Sequence, residues 1–112
     1  MRLRAHWTPH TVKIKPFAGE GGNGPVWGTE VTRSPATGDG VYVEDAREVV
    51  VDASGTEVVS ETRVHLSFDD APPEQSLVTV WPGTTFERTA AVVKVSRFQH
   101  PRWPGYAVAY LR

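Results

Sequence analysis

The sequence predicts an all-β fold, and three features point to it. Valine and threonine dominate, with 17 and 11 residues against 4 Leu, 1 Ile and 1 Met. Such β-branched side chains suit a pleated surface and lose rotamer freedom in a helix. Ten Gly and nine Pro break the chain at short intervals, and several stretches between the breaks alternate apolar with polar residues, the period of a half-buried strand. No segment carries the 3.6-residue period of an amphipathic helix. At 112 residues the chain has the size of one domain with a modest core. It shows no internal repeat and no low-complexity tract.

The elements follow in order. In "HTVKIKPF", Val12 and Ile14 point one way and Lys13 and Lys15 the other. "AGEGGNGP" has four glycines in eight residues and reads as a flexible loop. "VWGTEVT" is a second strand weakened by Gly28, and "RSPATGDG" breaks the chain again. "VYVEDAREVVVD" and "TEVVSETRVHLSF" then flank "ASG", a three-residue connection with Gly55 where a left-handed residue is wanted. This is a long hairpin, whose second arm sets Val64, Leu66 and Phe68 on one face and Arg63, His65 and Ser67 on the other. "DDAPPEQS" ends it, and "LVTVW" is the next strand, closed by "PGT". "FERTAAVVKVSRF" is read with Ala91, Val93 and Val95 inward and Lys94 on a wet face. After the turn "QHPRWPG", "YAVAYLR" pairs back and runs to the last residue.

About six strands in so short a chain must close or pack to hide their edges. A small closed β-barrel without significant helix is expected, a single domain over residues 1–112, with an N-terminal arm at residues 1–9. The hairpin is longer than such a barrel needs, so residues 44–57 are expected to project.

The residues offer little chemistry. With no cysteine, disulfides, thiolate metal sites and a cysteine nucleophile are excluded. His6 and His10 have helical metal-pair spacing, but Thr8-Pro9 and a strand entry deny them a shared helix face, so both read as solvent-facing or interface histidines. Glu44-Asp45 and Asp69-Asp70 are adjacent pairs, and neighbours on a strand point to opposite faces. No serine lies in a G-x-S-x-G elbow, and "GEGGNG" lacks the lysine and helix of a phosphate loop. No enzyme activity, metal or cofactor is expected. Trp27 and Trp81 read as packing residues, whereas Trp7 and Trp103, beside prolines near the ends, are candidate contacts with another chain.

The net charge is −1, but it is sorted along the chain. Between Glu44 and Asp70 eight acids face Arg47 and Arg63, a net of −6, while from Phe86 to Arg112 five bases face Glu87, a net of +4. Residues 1–15 carry Arg2, Arg4, Lys13 and Lys15. Sorted charge suits a protein that meets copies of itself or different partners on two sides. The basic N-terminus has no apolar stretch of a signal peptide, and no apolar run approaches a membrane-spanning length. A soluble protein made in a cytoplasm is expected, with no membrane partner.

The D-x-x-G-x-E-V-V-S-E-x-x-V hairpin from Asp52 to Val64 and the closing H-P-x-x-P-x-Y-x-x-x-Y-L carry a family likeness. From about Thr11 onward the chain resembles head-to-tail stopper (head completion) proteins of long-tailed phages infecting actinobacteria. "RSPATGDG" is longer than that family's pattern. The resemblance implies a virion neck protein that forms a ring of six or twelve copies beneath the portal and adaptor. The ring would close the DNA channel after packaging and present a surface to a tail terminator or tail tube protein, with packaged double-stranded DNA passing without sequence-specific contact. A loop projecting into the channel would act as the gate. In this chain that loop falls at residues 44–57, with Glu44, Asp45, Arg47, Glu48, Asp52, Ser54, Gly55 and Glu57 as its lining, Arg47 and Arg63 as counter-charges, and residues 34–40 as the second candidate. Trp7, Trp103, Tyr106, Tyr110 and Arg112 are the candidate subunit or tail contacts, the final strand being covered by a neighbour. Another neck protein (tail terminator or adaptor) and a host SH3-like or OB-like binding module remain the alternatives.

Overall fold

The computed structural model describes residues 10–22, 24–35, 40–52, 54–101 and 103–112, with His100, Trp103 and Pro104 described by backbone alone. Nine strands form in chain order: β1 (Val12–Lys15), β2 (Phe17–Gly21), β3 (Gly24–Trp27), β4 (Val31–Arg33), β5 (Tyr42–Val51), β6 (Glu57–Ser67), β7 (Leu77–Val80), β8 (Arg88–His100) and β9 (Trp103–Leu111). A one-turn 3-10 helix at Phe68–Asp70 follows β6. No α-helix occurs among the described residues.

Seven strands make one antiparallel sheet in the order β4-β1-β7-β8-β9-β6-β5. The expected closed barrel of about six strands is therefore corrected: the sheet is open, with edges at β4 and β5. It curls far enough that His10, just before β1, forms a lone bridge with Val41, just before β5, through bonds of 2.9 and 3.1 Å. Full closure fails because β4 takes the rest of the same β1 edge, pairing Val12 with Arg33 and Ile14 with Val31.

The curled sheet encloses one apolar cluster built from alternate residues of six strands and from Val41: Val12 and Ile14, Val43, Val64 and Leu66, Val78 and Val80, Ala90 and Val92, Ala109 and Leu111. Burial of its Val, Ile and Leu side chains stabilises by roughly 1.5–3 kcal/mol each. β8 departs from the expected phase. Ala90 and Val92 face the core, not Ala91, and a bulge between Val92 and Lys94 then brings Val93 into a buried position and Val95 against the core. An extra residue in one strand reverses the side-chain alternation beyond it.

The glycine-rich stretch is also corrected. β2 and β3 pair as a ribbon, Phe17 opposite Trp27 and Gly21 opposite Gly24. Gly19 and Gly24 supply the positive φ of 117° and 111° that the bulge and turn need. The ribbon is held at its base by Gly28 N–H to Pro16 O (2.8 Å), Phe17 N–H to Ser76 Oγ (2.9 Å) and Trp27 Nε1–H to Gln75 O (2.9 Å). "VWGTEVT" thus divides at Gly28 into β3 and β4.

Candidate functional site

The hairpin turn is built by Asp52. Its N–H donates to Thr56 O and its O accepts from Gly55 N–H, both at 3.0 Å, while Gly55 takes the left-handed φ of 84°. One carboxylate oxygen, Oδ1, accepts from Ser54 Oγ (2.7 Å), Ser54 N–H (3.0 Å) and Thr56 N–H (3.0 Å). The Ser54 hydroxyl, then the Thr56 amide, hold the Asp52 carboxyl below its ordinary 3.8.

Down the stem, a bulge between Asp45 and Glu48 shifts the β5–β6 register. Arg63 bridges the shift, with Nη2 2.8 Å from Glu44 and Nη1 3.2 Å from Glu48. Arg47 lies 3.7 Å from Glu61. Asp45 accepts from Thr62 Oγ1 at 3.0 Å, Thr62 Oγ1 accepts from Arg88, and Arg88 also donates to Arg112 O at 3.0 Å. Both hairpin arginines therefore stand against carboxylates, while Glu57 near the tip is exposed.

The hairpin outruns its neighbour. β9 pairs with β6 only from Ser67 to Thr62, so Glu57 to Ser60 pair with β5 alone. This outer half has two unlike faces. Val50 and Ser60 are buried, and Ser60 Oγ donates to Leu111 O at 2.8 Å. Val49, Val51 and Val59, on the other face, are exposed. Beside the tip lies an open cleft of about 420 Å³, shared by Asp52 and Ser54, Trp27 of the ribbon, Gln75, Val93 and Arg112.

The candidate contact residues are dispersed. Trp7 lies outside the described residues, as do residues 36–39 of the second loop candidate and the Trp103 side chain. Tyr106 stacks on Phe98 (centroids 4.9 Å apart, planes 21° apart), and both are partly exposed. Tyr110 carries Lys94 Nζ 5.7 Å above its ring. Register joins Glu44, Arg63, Tyr110 and Lys94 into a row across four strands. Sequence reading missed Lys94 and Phe98, because alternation assigns a face but not the neighbour across the sheet.

Two expectations change at this level. The last strand has no edge for a neighbour to cover, because β9 is paired with β8 on one side and β6 on the other. His10, expected as a solvent-facing or interface histidine, is half-buried. Its Nδ1 accepts from Val43 N–H at 2.9 Å, and its ring lies 4.9 Å from Trp81 and 5.4 Å from Tyr42. Trp27 and Trp81 both pack, as expected, Trp27 bracing the ribbon outside the core cluster and Trp81 lying against that cluster at its rim. Among the described residues no three His, Asp or Glu side chains converge as a metal ion would require. Compared with protein families, curated proteins and solved structures, the chain matches none.

Proposed function

We propose that this chain is a structural protein of a phage neck, assembling as a ring below the portal and adaptor to close the DNA channel and receive the tail. The observation that carries the reading is the acidic hairpin that outruns β9, with a stiff Asp52 turn at its tip. Turned inward in a ring, one such hairpin per subunit sets a collar of carboxylates around the axis. Carboxylates repel DNA phosphates and discourage sticking during ejection. They also repel one another, by about 1 kcal/mol per close pair in water. Arg63 against Glu44 and Glu48, and Arg47 against Glu61, offset that repulsion within each hairpin. Docking of a tail that competes for these partners would tip the balance toward opening. The resemblance of the Asp52-to-Val64 and C-terminal motifs to head-to-tail stoppers supports the same reading.

The test is to replace residues 46–58 by a tight turn. No residue of the core cluster lies in that segment, so the sheet should survive while packaged DNA leaks from tailless heads. Heads that retain DNA as well as the parent would move the gate to residues 34–40 or to another protein. A chain that stays monomeric at all concentrations, and is missing from purified virions, would favour a host binding module.

A further inference from the structure

The sheet has a second face, turned away from the core, and its side chains follow an order. Residues paired across an antiparallel ladder share a face. One row across β5, β6, β9 and β8 therefore runs Glu44, Arg63, Tyr110, Lys94. The next row, two residues along, runs Tyr42, His65, Val108, Ser96, and a third runs Ser67, Tyr106, Phe98. All of these pairs lie between the bulges of β5 and β8, so no register is carried across a shift. Val43, Val64 and Ala109, which lie between the first two rows, belong to the core cluster, so the rows point outward. Tyr42, Tyr106 and Phe98 are exposed by 42%, 38% and 44%. Exposed rings gathered on one face mark a contact surface.

The order within the rows matches its own reverse. A second copy turned over about a two-fold axis, running along the strands between β6 and β9, lays the partner's β8 over β5 and the partner's β9 over β6. Each row then meets the same row of the partner. In the first, Glu44 comes opposite the partner's Lys94, and Arg63 comes opposite the partner's Tyr110, a cation against a ring. In the second, Tyr42 comes opposite the partner's Ser96 and His65 opposite the partner's Val108. In the third, Tyr106 comes opposite the partner's Ser67. Acid meets base and a large side chain meets a small one, and the symmetry makes each contact twice. Stacked sheets lie roughly 10 Å apart with strands nearly aligned, a gap that such alternation of sizes fills. The two charged ends of the first row are also available. Arg63 and His65 both approach Glu44 through Oε1, which leaves Oε2 to accept from outside. Lys94 stands 5.7 Å from the Tyr110 ring and pairs with no carboxylate among the described residues.

We propose that this outward face of β5, β6, β9 and β8 joins two copies of the chain face to face as a symmetric pair, with Glu44 of each copy against the partner's Lys94. Such a contact closes at two copies and does not propagate. It is separate from any surface that builds a ring, so the proposal goes beyond the neck reading and does not rest on it.

Sedimentation equilibrium of the full chain over a range of concentrations tests it, and a reversible dimer is expected. Lys94→Glu and Glu44→Lys each set like charges opposite one another in both halves of the pair, and each should weaken dimerisation about tenfold. An equimolar mixture of the two variants restores acid against base at both contacts. The mixture should dimerise as the parent does, although neither variant does so alone. Ser96→Trp, outside the core cluster, fills the space opposite Tyr42 and should abolish the dimer at an unchanged thermal midpoint. A mixture that stays monomeric while both variants keep the parent's thermal midpoint overturns the proposal. So does a dimer or larger ring whose mass is unmoved by Lys94→Glu and by Ser96→Trp, and in that case the neck reading stands. A parent chain that is monomeric at every concentration also overturns it and leaves the face to an unlike partner.

Discussion

Asp52 shows how much a single side chain can set. Its Oδ1 takes three hydrogen bonds from Ser54 and Thr56 and so defines the hairpin tip. Because these bonds favour the charged form, the folded carboxyl titrates below 3.8. The sign follows: the group adds stability above its unfolded pKa and loses it as pH falls through the lower folded value. A carboxyl titration by NMR should place the Asp52 midpoint under 3.8, and Ser54→Ala should raise it, the hydroxyl being the largest cause. Gly105 is demanding for a different reason. A Cβ there would lie 3.0 Å from Phe68 Cδ2 and 3.0 Å from the Phe98 carbonyl oxygen, which is backbone and cannot step aside cheaply. Gly105→Ala should cost about 1–3 kcal/mol in urea unfolding, as overpacking does. The need for glycine at position 55 was legible from "ASG" between two strand patterns. The need at 105 was not, because Phe68 reaches that point through the fold.

Among the elements, the β5–β6 hairpin was the most legible, since its alternation is long and its turn chemistry is local. Its electrostatics were half legible. Arg47 and Arg63 were evident as counter-charges, but the bulge between Asp45 and Glu48 is what lets one guanidinium reach two carboxylates. Arg63→Met should lower stability by about 1 kcal/mol, the scale of a partly exposed ion pair, and the deficit should shrink as salt is raised. Thermal unfolding of both proteins at low and high salt checks this. A deficit unchanged by salt would mean that the aliphatic stem of Arg63, and not its charge, matters. The β2–β3 ribbon was misread as a loop because glycine frequency signals flexibility, whereas the pairing depends on anchors at Ser76 and Gln75, about 50 to 60 residues away.

For the whole molecule, the placement of β9 between β8 and β6 alters the expected effect of truncation. Leu111 is fully buried in the core cluster, and its carbonyl accepts from Ser60. Deleting residues 110–112 should therefore act on folding before it acts on assembly. Loss of the Leu111 side chain alone should cost about 2–5 kcal/mol, enough to threaten a small domain. Urea or thermal unfolding checks this, and a truncated chain with an unchanged midpoint would show that β9 is dispensable to the core.

What the sequence by itself determined is the all-β class, most strand positions, the long hairpin with its left-handed Gly55 turn, and the sorting of charge. Each depends on residues close in the chain: β-branched content, two-residue alternation and turn-forming triplets. The tertiary structure decided the rest. It left the sheet open where β4 occupies the edge of β1, set β9 between β8 and β6, and reversed the phase of β8 at a bulge. It also gave the half-buried His10 a role as acceptor for the Val43 amide. Strand order and closure depend on which distant edges meet, and alternation carries no information about partners. A side chain's face is written locally, but its neighbour is chosen by the whole chain.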